Sequence, residues 1–239
     1  MNNAFLQGSL TDTVYMIQPP GFVNSQTPNH VCKLNKPIYG LKQAPRAWFT
    51  ELCSYLISYG FKNSISDSSL FIFHKQDIRL YVLVYVDDII VTGSSDNAIS
   101  SFISAISSRF LLKDLGPLSY FLGIKVTPTK LGLHLTQAKY VSDLLSKYNM
   151  LDATPMTTPM NTENSLTRQL DQPIHNESDY RAIVGSLHYL SLTRPDIAFP
   201  VNKLAQFLCH PTSDHWKALK QVIRYLVGTL HGGIHLKRH

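Results

Sequence analysis

Two apolar runs separated by a pair of acids stand out along the chain. The first, "LYVLVYV" (Leu80–Val86), is rich in aromatic and β-branched residues, and the second, "IIVTG" (Ile89–Gly93), follows after only two residues. Such runs are typical of strands, and a two-residue interruption is typical of a hairpin turn. The pattern predicts a β-hairpin whose turn carries Asp87 and Asp88. Because the first run is apolar at every position, it also predicts a central strand buried on both faces.

Helical and strand patterns flank this hairpin on both sides. Apolar residues recur at helical spacing after Ala44, with Pro45 at a first helical position and Gly60 as the stop. A second amphipathic helix is predicted after the hairpin, with Ser95 or Asp96 as its N-cap. The segment "SLFIFHK" predicts a strand before the hairpin, and "TPTKLG" predicts a turn between two later strands. The segment "QAKYVSDLLSKYNM" predicts a short helix.

A polar stretch with three prolines runs over residues 152–178 and is typical of a linker. Three helical patterns follow it. The first of them ends before Arg194, and the most regular is capped by Ser213. The predicted organisation is an α+β domain over residues 1–151, this linker, and a helical subdomain over residues 179–239.

Composition is that of a globular protein from a reducing compartment. The chain is 44% hydrophobic and 16% charged. Its three cysteines are widely spaced and form no CxxC pattern, which argues against a disulfide framework or a zinc site. No apolar run approaches the roughly 18 residues of a membrane span, and the N-terminus lacks the features of a signal peptide. We expect an intracellular, cytoplasmic protein without a membrane partner.

Basic residues are concentrated toward the C-terminus. The chain has 22 Lys and Arg against 16 Asp and Glu, giving a formal net charge of +6. Within the last predicted helix, Lys217, Lys220 and Arg224 recur at helical spacing opposite the apolar stripe. Such a face suits contacts with a nucleic-acid backbone, and it equally suits an ordinary solvated helix surface.

The two adjacent carboxylates have two interpretations. Charges beside apolar strands are costly to bury unless something compensates them. Mg²⁺ takes oxygen ligands and keeps waters and substrate phosphates in its shell, so a metal–phosphate site would compensate them. Asp is also a favoured turn residue. Taken alone, Asp87 and Asp88 fit either a solvated turn or a site for two-metal phosphoryl transfer.

Several long blocks around the pair resemble one enzyme family. The tetrapeptide "YVDD" (Tyr85–Asp88) is similar to the catalytic hairpin of reverse transcriptases, and "KPIYGLKQAPRAWF" (Lys36–Phe49) resembles a block of copia-type retrotransposon polymerases. Three later blocks resemble the same family in the same order: "DLGPLSYFLGIKV", "YRAIVGSLHYLSLTRPDIAFPVNKLAQF" and "HWKALKQVIRYLVGT". The resemblance to the reverse transcriptase of copia-type LTR retrotransposons runs from Asn2 nearly to the C-terminus.

This resemblance implies a right-hand polymerase fold with a ferredoxin-like palm, followed by a thumb and connection region, with the fingers largely missing. Asp87 would be a metal-binding acid for Mg²⁺ or Mn²⁺, and Asp88 would be its neighbour with a less direct contact. The expected partners are deoxynucleoside triphosphates and an RNA or DNA template with its primer. The expected reaction is two-metal nucleotidyl transfer.

Other positions take roles through the same resemblance. Gln43 matches a glutamine beneath the sugar of the incoming nucleotide, and Phe5 matches a bulky side chain that excludes a 2′-hydroxyl. Lys113 is matched to a lysine near the incoming triphosphate. As isolated residues, these three would be a loop glutamine, a core aromatic and a solvated surface lysine. The family's primer-gripping turn is matched by Leu122, Gly123 and Ile124.

The chain departs from the family pattern at its start. The family's first catalytic block reads close to Asp-Val-Asn-Asn-Ala-Phe-Leu, whereas this chain begins Met1-Asn2-Asn3, so the first aspartate is absent. Two-metal chemistry uses acids from separate strands. We therefore expect a truncated piece of a polyprotein, lacking its fingers and ribonuclease H parts, with little or no polymerase activity alone.

Two other functions could account for parts of this sequence. A non-catalytic remnant would bind duplex nucleic acid in a salt-dependent way without extending a primer. An unrelated metal-dependent phosphotransferase with a similar palm would share the Asp hairpin. It would not share the block around Gln43 or the long C-terminal blocks.

Overall fold

A computed structural model describes residues 4–10, 12–161, 166, 167, 172, 174 and 176–237 of the chain. The chain divides into two compact units, Met1–Gly116 and Pro117–His239. Both combine helices with antiparallel strands, which confirms the predicted α+β class. This division differs from the predicted boundaries at residues 151 and 178. The predicted functional domains that those boundaries define stay a prediction.

The described part of the first unit contains six strands in two antiparallel sheets. The strands are β1 (Tyr15–Ile17), β2 (Val31–Lys33), β3 (Lys62–Asn63), β4 (Leu70–Lys75), β5 (Ile78–Tyr85) and β6 (Asp88–Gly93). The first two pair with each other, and the other four form a sheet in sequential order. β5 and β6 pair from Leu80↔Gly93 to Tyr85↔Asp88, which confirms the predicted hairpin. The predicted turn at Asp87 and Asp88 is wrong by one residue, because Val86 and Asp87 form the turn and Asp88 begins β6.

The central strand β5 is buried on one face only, so the prediction of burial on both faces is wrong. Leu80, Val82 and Val84 are buried, whereas Tyr81 and Tyr85 on the opposite face are 36% and 53% exposed. The buried three share one hydrophobic cluster with both helices of the unit. The other face keeps amphipathic tyrosines, whose rings tolerate a wet surface.

The two predicted helices of this unit, α1 (Ala44–Tyr59) and α2 (Asp96–Phe110), are confirmed and cover the buried face. Gly60 ends α1 in a left-handed conformation (φ 113°), which a residue without a Cβ adopts at little cost. Ser95 caps α2 by accepting a hydrogen bond from the Ala98 N–H. The core between helices and sheet is largely aromatic and includes Trp48, Phe61, Phe71, Phe102 and Phe110.

Among its described residues, the second unit contains four α-helices and a four-stranded antiparallel sheet. Its elements are β7 (Tyr120–Phe121), β8 (Ile124–Thr129), β9 (Gly132–Thr136), α3 (Ala138–Lys147), α4 (Glu177–Leu190), α5 (Ala198–Ala205), α6 (Ser213–Gly228) and β10 (Gly233–Lys237). The predicted pair of strands around "TPTKLG" is confirmed as β8 and β9. The sequence did not predict β10, which pairs with β9 at the sheet edge.

Two predicted helix ends in this unit are wrong. The N-cap of α6 is Thr212, one residue before the predicted Ser213, and its N–H donates to Nδ1 of His215 at 2.9 Å. α4 ends at Leu190 rather than just before Arg194. A single sequence locates such ends poorly, because capping depends on side-chain contacts that hydrophobic periodicity does not record.

Residues 152–161, the described start of the predicted linker, contain no helix or strand. Much of its remainder lies outside the described residues, and its predicted end falls within α4, which begins at Glu177. Across the part of the chain that the structure describes, every helix is too short or too polar to cross a membrane.

Candidate functional site

The acidic pair lies at the tip of the β5–β6 hairpin. Tyr85 and Asp88 are paired across the strands, so Val86 and Asp87 form a two-residue turn and Asp88 is the first residue of β6. Val86 has a φ of 56°, a left-handed conformation that β-branched residues rarely adopt. The turn is therefore held in a conformation that its own sequence disfavours.

Trp48 supports this turn from α1. Its indole N–H donates to the carbonyl oxygen of Val86 at 2.8 Å, and its side chain is fully buried. The ring also meets Phe110 of α2 edge to face at a centroid distance of 5.2 Å. This contact fixes the turn against α1, because the indole itself is held between helices.

Gln43 is the residue that precedes α1. It has helical backbone angles (φ −83°, ψ −14°), its carbonyl accepts from the Ala47 N–H at 2.9 Å, and its side chain makes no capping hydrogen bond. Trp48 follows it within the same helix, so the start of α1 and the acidic turn are tied together. The helix start also carries a partial positive charge that suits a phosphate.

Phe5 lies in a short 3₁₀ helix (Ala4–Gln7) that packs against α1. Its side chain is 5% exposed and belongs to the hydrophobic cluster of the first unit. Gly8 allows the close approach, because a Cβ there would lie 3.0 Å from backbone atoms of Ala47 and Trp48. The structure thus places Phe5 in the core, and its role toward a 2′-hydroxyl stays a prediction.

The carboxylates of Asp87 and Asp88 are exposed. Within the described part of the chain, neither takes part in a salt bridge or accepts a side-chain hydrogen bond. Hard cations such as Mg²⁺ prefer such oxygen donors and complete their shells with water and phosphate. The donor set fits a divalent cation, although no cluster of three or more His, Cys, Asp or Glu ligands occurs among the described residues.

Lys113 is not brought to the acidic turn by any contact in the described ranges. It is exposed and lies beyond the left-handed Leu111 (φ 52°) that ends α2. Its predicted role near a triphosphate stays a prediction.

The predicted primer-contact turn lies in the second unit. Phe121 and Ile124 pair across β7 and β8, which leaves Leu122 and Gly123 as a two-residue turn. Their φ angles are 46° and 78°, respectively. The Tyr189 hydroxyl of α4 donates to the Leu122 carbonyl oxygen at 2.5 Å. The turn itself agrees with the sequence, and its contact with α4 was not predicted.

The three basic residues of α6 have different surroundings. Lys217 forms an exposed ion pair with Asp214 at 2.9 Å, and the Lys220 ammonium lies 5.8 Å from the Trp216 ring centre. Arg224 is half-buried and its Nε donates to the Thr154 carbonyl oxygen at 2.6 Å. Arg224 therefore has a structural contact of its own, and backbone binding by the three stays a prediction.

The sequence pattern gave neither Trp48 nor Tyr189 a role at a turn. Both residues lie within the blocks that carry the family resemblance. An aromatic residue with a polar tip usually finds a hydrogen-bond partner when it is buried, and this rule was the only available signal for Trp48. The sequence could not identify either residue as the support of a turn, because each lies far along the chain from the turn that it contacts.

Comparison with known proteins identifies the family. The family described as Reverse transcriptase (RNA-dependent DNA polymerase) matches residues 1–162. The chain belongs to this reverse transcriptase family. The predicted resemblance to copia-type Pol polyproteins is confirmed, and the family is described as one of RNA-dependent DNA polymerases.

Relatives of this reverse transcriptase-family chain come from plants and yeast. It is 52% identical over its whole length to the Retrovirus-related Pol polyprotein from transposon RE2 of Arabidopsis thaliana, of which it spans 16%. It is 37% identical, over 96% of its length, to the Pol polyprotein from transposon TNT 1-94 of Nicotiana tabacum, of which it spans 18%. It is 31% identical, over 96% of its length, to the Putative transposon Ty5-1 protein YCL074W of Saccharomyces cerevisiae, of which it spans 75%. No solved structure matches the chain.

Proposed function

We propose that the first unit is the palm of a right-hand polymerase and that Asp87 and Asp88 hold the divalent metal of nucleotidyl transfer. The observation that carries the proposal is the acidic turn itself. Two exposed carboxylates project from a turn held by α1 through Trp48, in a chain of the reverse transcriptase family. A fixed turn places both acids at one point of the sheet rim, where a metal–phosphate complex has access.

Asp87 is the closer metal ligand in this proposal, and Asp88 is the supporting acid. Mg²⁺ or Mn²⁺, when bound, would supply charge that stabilises the attacking and leaving oxygens of the phosphoryl group.

The α1 start and the 3₁₀ helix would form the nucleotide side of the site. The Gln43 side chain makes no capping hydrogen bond to α1, so its amide is available to a sugar hydroxyl. Phe5 is held against α1 by the close contact at Gly8. An aromatic wall there would exclude a ribose by shape, and Lys113 would meet the triphosphate.

The second unit would contribute thumb and connection contacts with a template–primer. The turn at Leu122, Gly123 and Ile124 would meet the primer terminus, and Lys217 and Lys220 would meet backbone phosphates. Arg224 would add to them only with the donors that Thr154 leaves free. Action in the cytoplasm, within a larger polyprotein assembly, is part of the same proposal.

The test of the metal site compares two aspartates in equivalent turns. Asp77 follows left-handed Gln76 (φ 53°) in the two-residue turn between β4 and β5, as Asp87 follows left-handed Val86 (φ 56°). Mn²⁺ binding to the full chain is measured by electron paramagnetic resonance. We expect D87N to weaken binding at least tenfold and D77N to leave it unchanged. Equal effects of the two substitutions would overturn the metal assignment.

The test of the reaction measures primer extension alongside duplex binding. Extension by the chain with Mg²⁺ or Mn²⁺ that is lost in D87N supports the polymerase. Duplex binding that falls with salt, with neither extension nor Mn²⁺ binding that depends on Asp87, supports the non-catalytic alternative. Primer extension and duplex binding should respond differently to D87N, because the proposal places Asp87 at the metal and not in the duplex contact.

A further inference from the structure

The turn between β7 and β8 has an unusual sequence for its backbone. Two consecutive positive φ angles, at Leu122 and Gly123, match the pattern of a type I′ turn. The first position of such a turn favours Asn, Asp or Gly, because a left-handed Cβ lies close to the following carbonyl oxygen. Leu122 has no polar side chain that could stabilise this conformation locally. Something outside the turn must hold it.

Tyr189 provides that contact from α4. Its hydroxyl donates to the Leu122 carbonyl oxygen at 2.5 Å. It also occupies the space beside Gly123, where an added Cβ would come within 2.8 Å of the hydroxyl oxygen. The hydroxyl therefore fixes the orientation of the Leu122 peptide, and a side chain at position 123 would have to displace it.

The Tyr189 ring is itself well placed to act as a fixed support. It meets Tyr140 of α3 edge to face at a centroid distance of 5.0 Å. Its neighbour Leu190 is fully buried in the core of the second unit, which anchors the last turn of α4. The ring is 37% exposed, so its position depends on these contacts and on the hydroxyl bond.

We propose that Tyr189 is a positioning residue that fixes the turn at Leu122 and Gly123 for contact with a primer terminus. The inference rests on the proposed function, which makes this turn the primer-contact element. With its carbonyl taken by Tyr189, Leu122 keeps an exposed side chain (37%) beside the glycine backbone. Because the Tyr189 hydroxyl fills the space beside Gly123, a nucleic-acid end would meet the turn at the exposed Leu122 side chain.

The experiment removes only the hydroxyl and measures selectivity for a primer end. The full-length Y189F chain is compared with Y140F, which removes a hydroxyl from the partner ring. Binding to a recessed primer–template and to a blunt duplex of the same length is measured by fluorescence anisotropy. We expect Y189F to lower the preference for the recessed end about fivefold, within the range of one lost hydrogen bond. Y140F should leave the preference unchanged, and a merely structural loss would weaken both ligands equally.

A double-mutant cycle with G123A keeps the test decisive if Y189F alone perturbs the fold. G123A should lower the preference more strongly in the parent than in Y189F, because its new Cβ meets the hydroxyl only when the hydroxyl is present. Additive effects would overturn the inference. If the parent chain has no preference for the recessed end, the primer-contact assignment fails. The positioning role of Tyr189 then fails as well. If the parent has the preference and Y189F retains it, only the positioning role fails.

Discussion

Trp48 and Val86 are joined by a 2.8 Å hydrogen bond from the indole N–H to the backbone carbonyl, although they lie 38 residues apart in sequence. The bond links the interior of α1 to the left-handed residue that precedes Asp87. The conformation of the acidic turn is therefore set by a helix that carries Gln43 at its start. One buried ring therefore links the helix that begins after Gln43 to the acidic turn.

Substituting Trp48 tests this link. W48F keeps an aromatic ring but removes the donor, and we expect a loss of about 2 kcal/mol in unfolding free energy from the hydrogen bond and the incomplete filling of the core. Urea unfolding followed by circular dichroism measures it. We also expect the Mn²⁺ affinity of the acidic turn to fall several-fold.

W216F is the matched control, because Trp216 is the second of the two tryptophans and lies in the second unit. Its substitution should leave Mn²⁺ affinity unchanged. An unchanged affinity in W48F as well would show that the turn does not depend on the indole.

Replacing Val86 with glycine tests the strain in the turn. Glycine adopts positive φ without a Cβ penalty, so V86G should stabilise the fold or leave it unchanged, although glycine adds entropy to the unfolded chain. Val31, which is similarly exposed (55% against 48%) within strand β2, is the control. V31G should destabilise by about 1 kcal/mol. A similar loss in both variants, by thermal unfolding, would argue against strain at Val86.

Arg194 joins two distant segments of the second unit. Its side chain is 3% exposed, and it binds the Asp196 carboxylate (2.7 Å) and the Thr229 carbonyl oxygen (2.8 Å). R194M should cost about 2 kcal/mol, because a buried guanidinium loses its hydrogen bonds to a carboxylate and to a backbone carbonyl. K217M, which breaks an exposed pair with Asp214, should cost less than about 1 kcal/mol. Equal losses of unfolding free energy in R194M and K217M, measured by chemical denaturation, would contradict the importance of burial.

The R194M substitution should also change the pKa of Asp196. Burial alone raises the pKa of Asp196, but hydrogen bonds from Arg194 and Tyr225 outweigh it and hold the pKa below its ordinary value. R194M should therefore raise the Asp196 pKa, as measured by NMR titration of its carboxyl carbon. A pKa that stays low would assign the effect to Tyr225 instead.

Two histidines make the stability of the second unit depend on pH. His134 and His235 pair across β9 and β10, with rings stacked at 4.3 Å. Burial, and then repulsion from His235, lower the pKa of His134. Since the unfolded chain then binds a proton more readily, stability should fall as the pH drops through about 6.5 and level off below the native pKa.

Unfolding free energies between pH 5 and pH 8 measure this dependence. H235Q should reduce it, because the repulsion is removed while the burial of His134 remains. H30Q removes a histidine from an exposed loop and serves as the control. An identical pH dependence in H235Q and in the parent would exclude coupling between the two rings.

Much of the first unit could be predicted from local pattern. Strand alternation, the capping Ser95 and the stop at Gly60 depend on residues that are close in sequence. The burial of β5 could not be predicted, because an apolar tyrosine-rich run does not show which face the helices cover. For the candidate site, the sequence located the acidic turn and the Gln43 helix start. It could not locate Trp48 as the support of that turn.

The sequence by itself determined the reverse transcriptase family, the acidic hairpin, the helix that begins after Gln43 and the turn at Gly123. These features follow from periodicity, turn chemistry and long matching blocks, which are properties of neighbouring residues. Only the tertiary structure decided what holds the two turns and where β10 pairs. The Tyr189–Leu122 bond joins residues 67 positions apart. Partners so distant meet only after helices and sheet have packed, and no local pattern encodes which side chain then reaches a carbonyl.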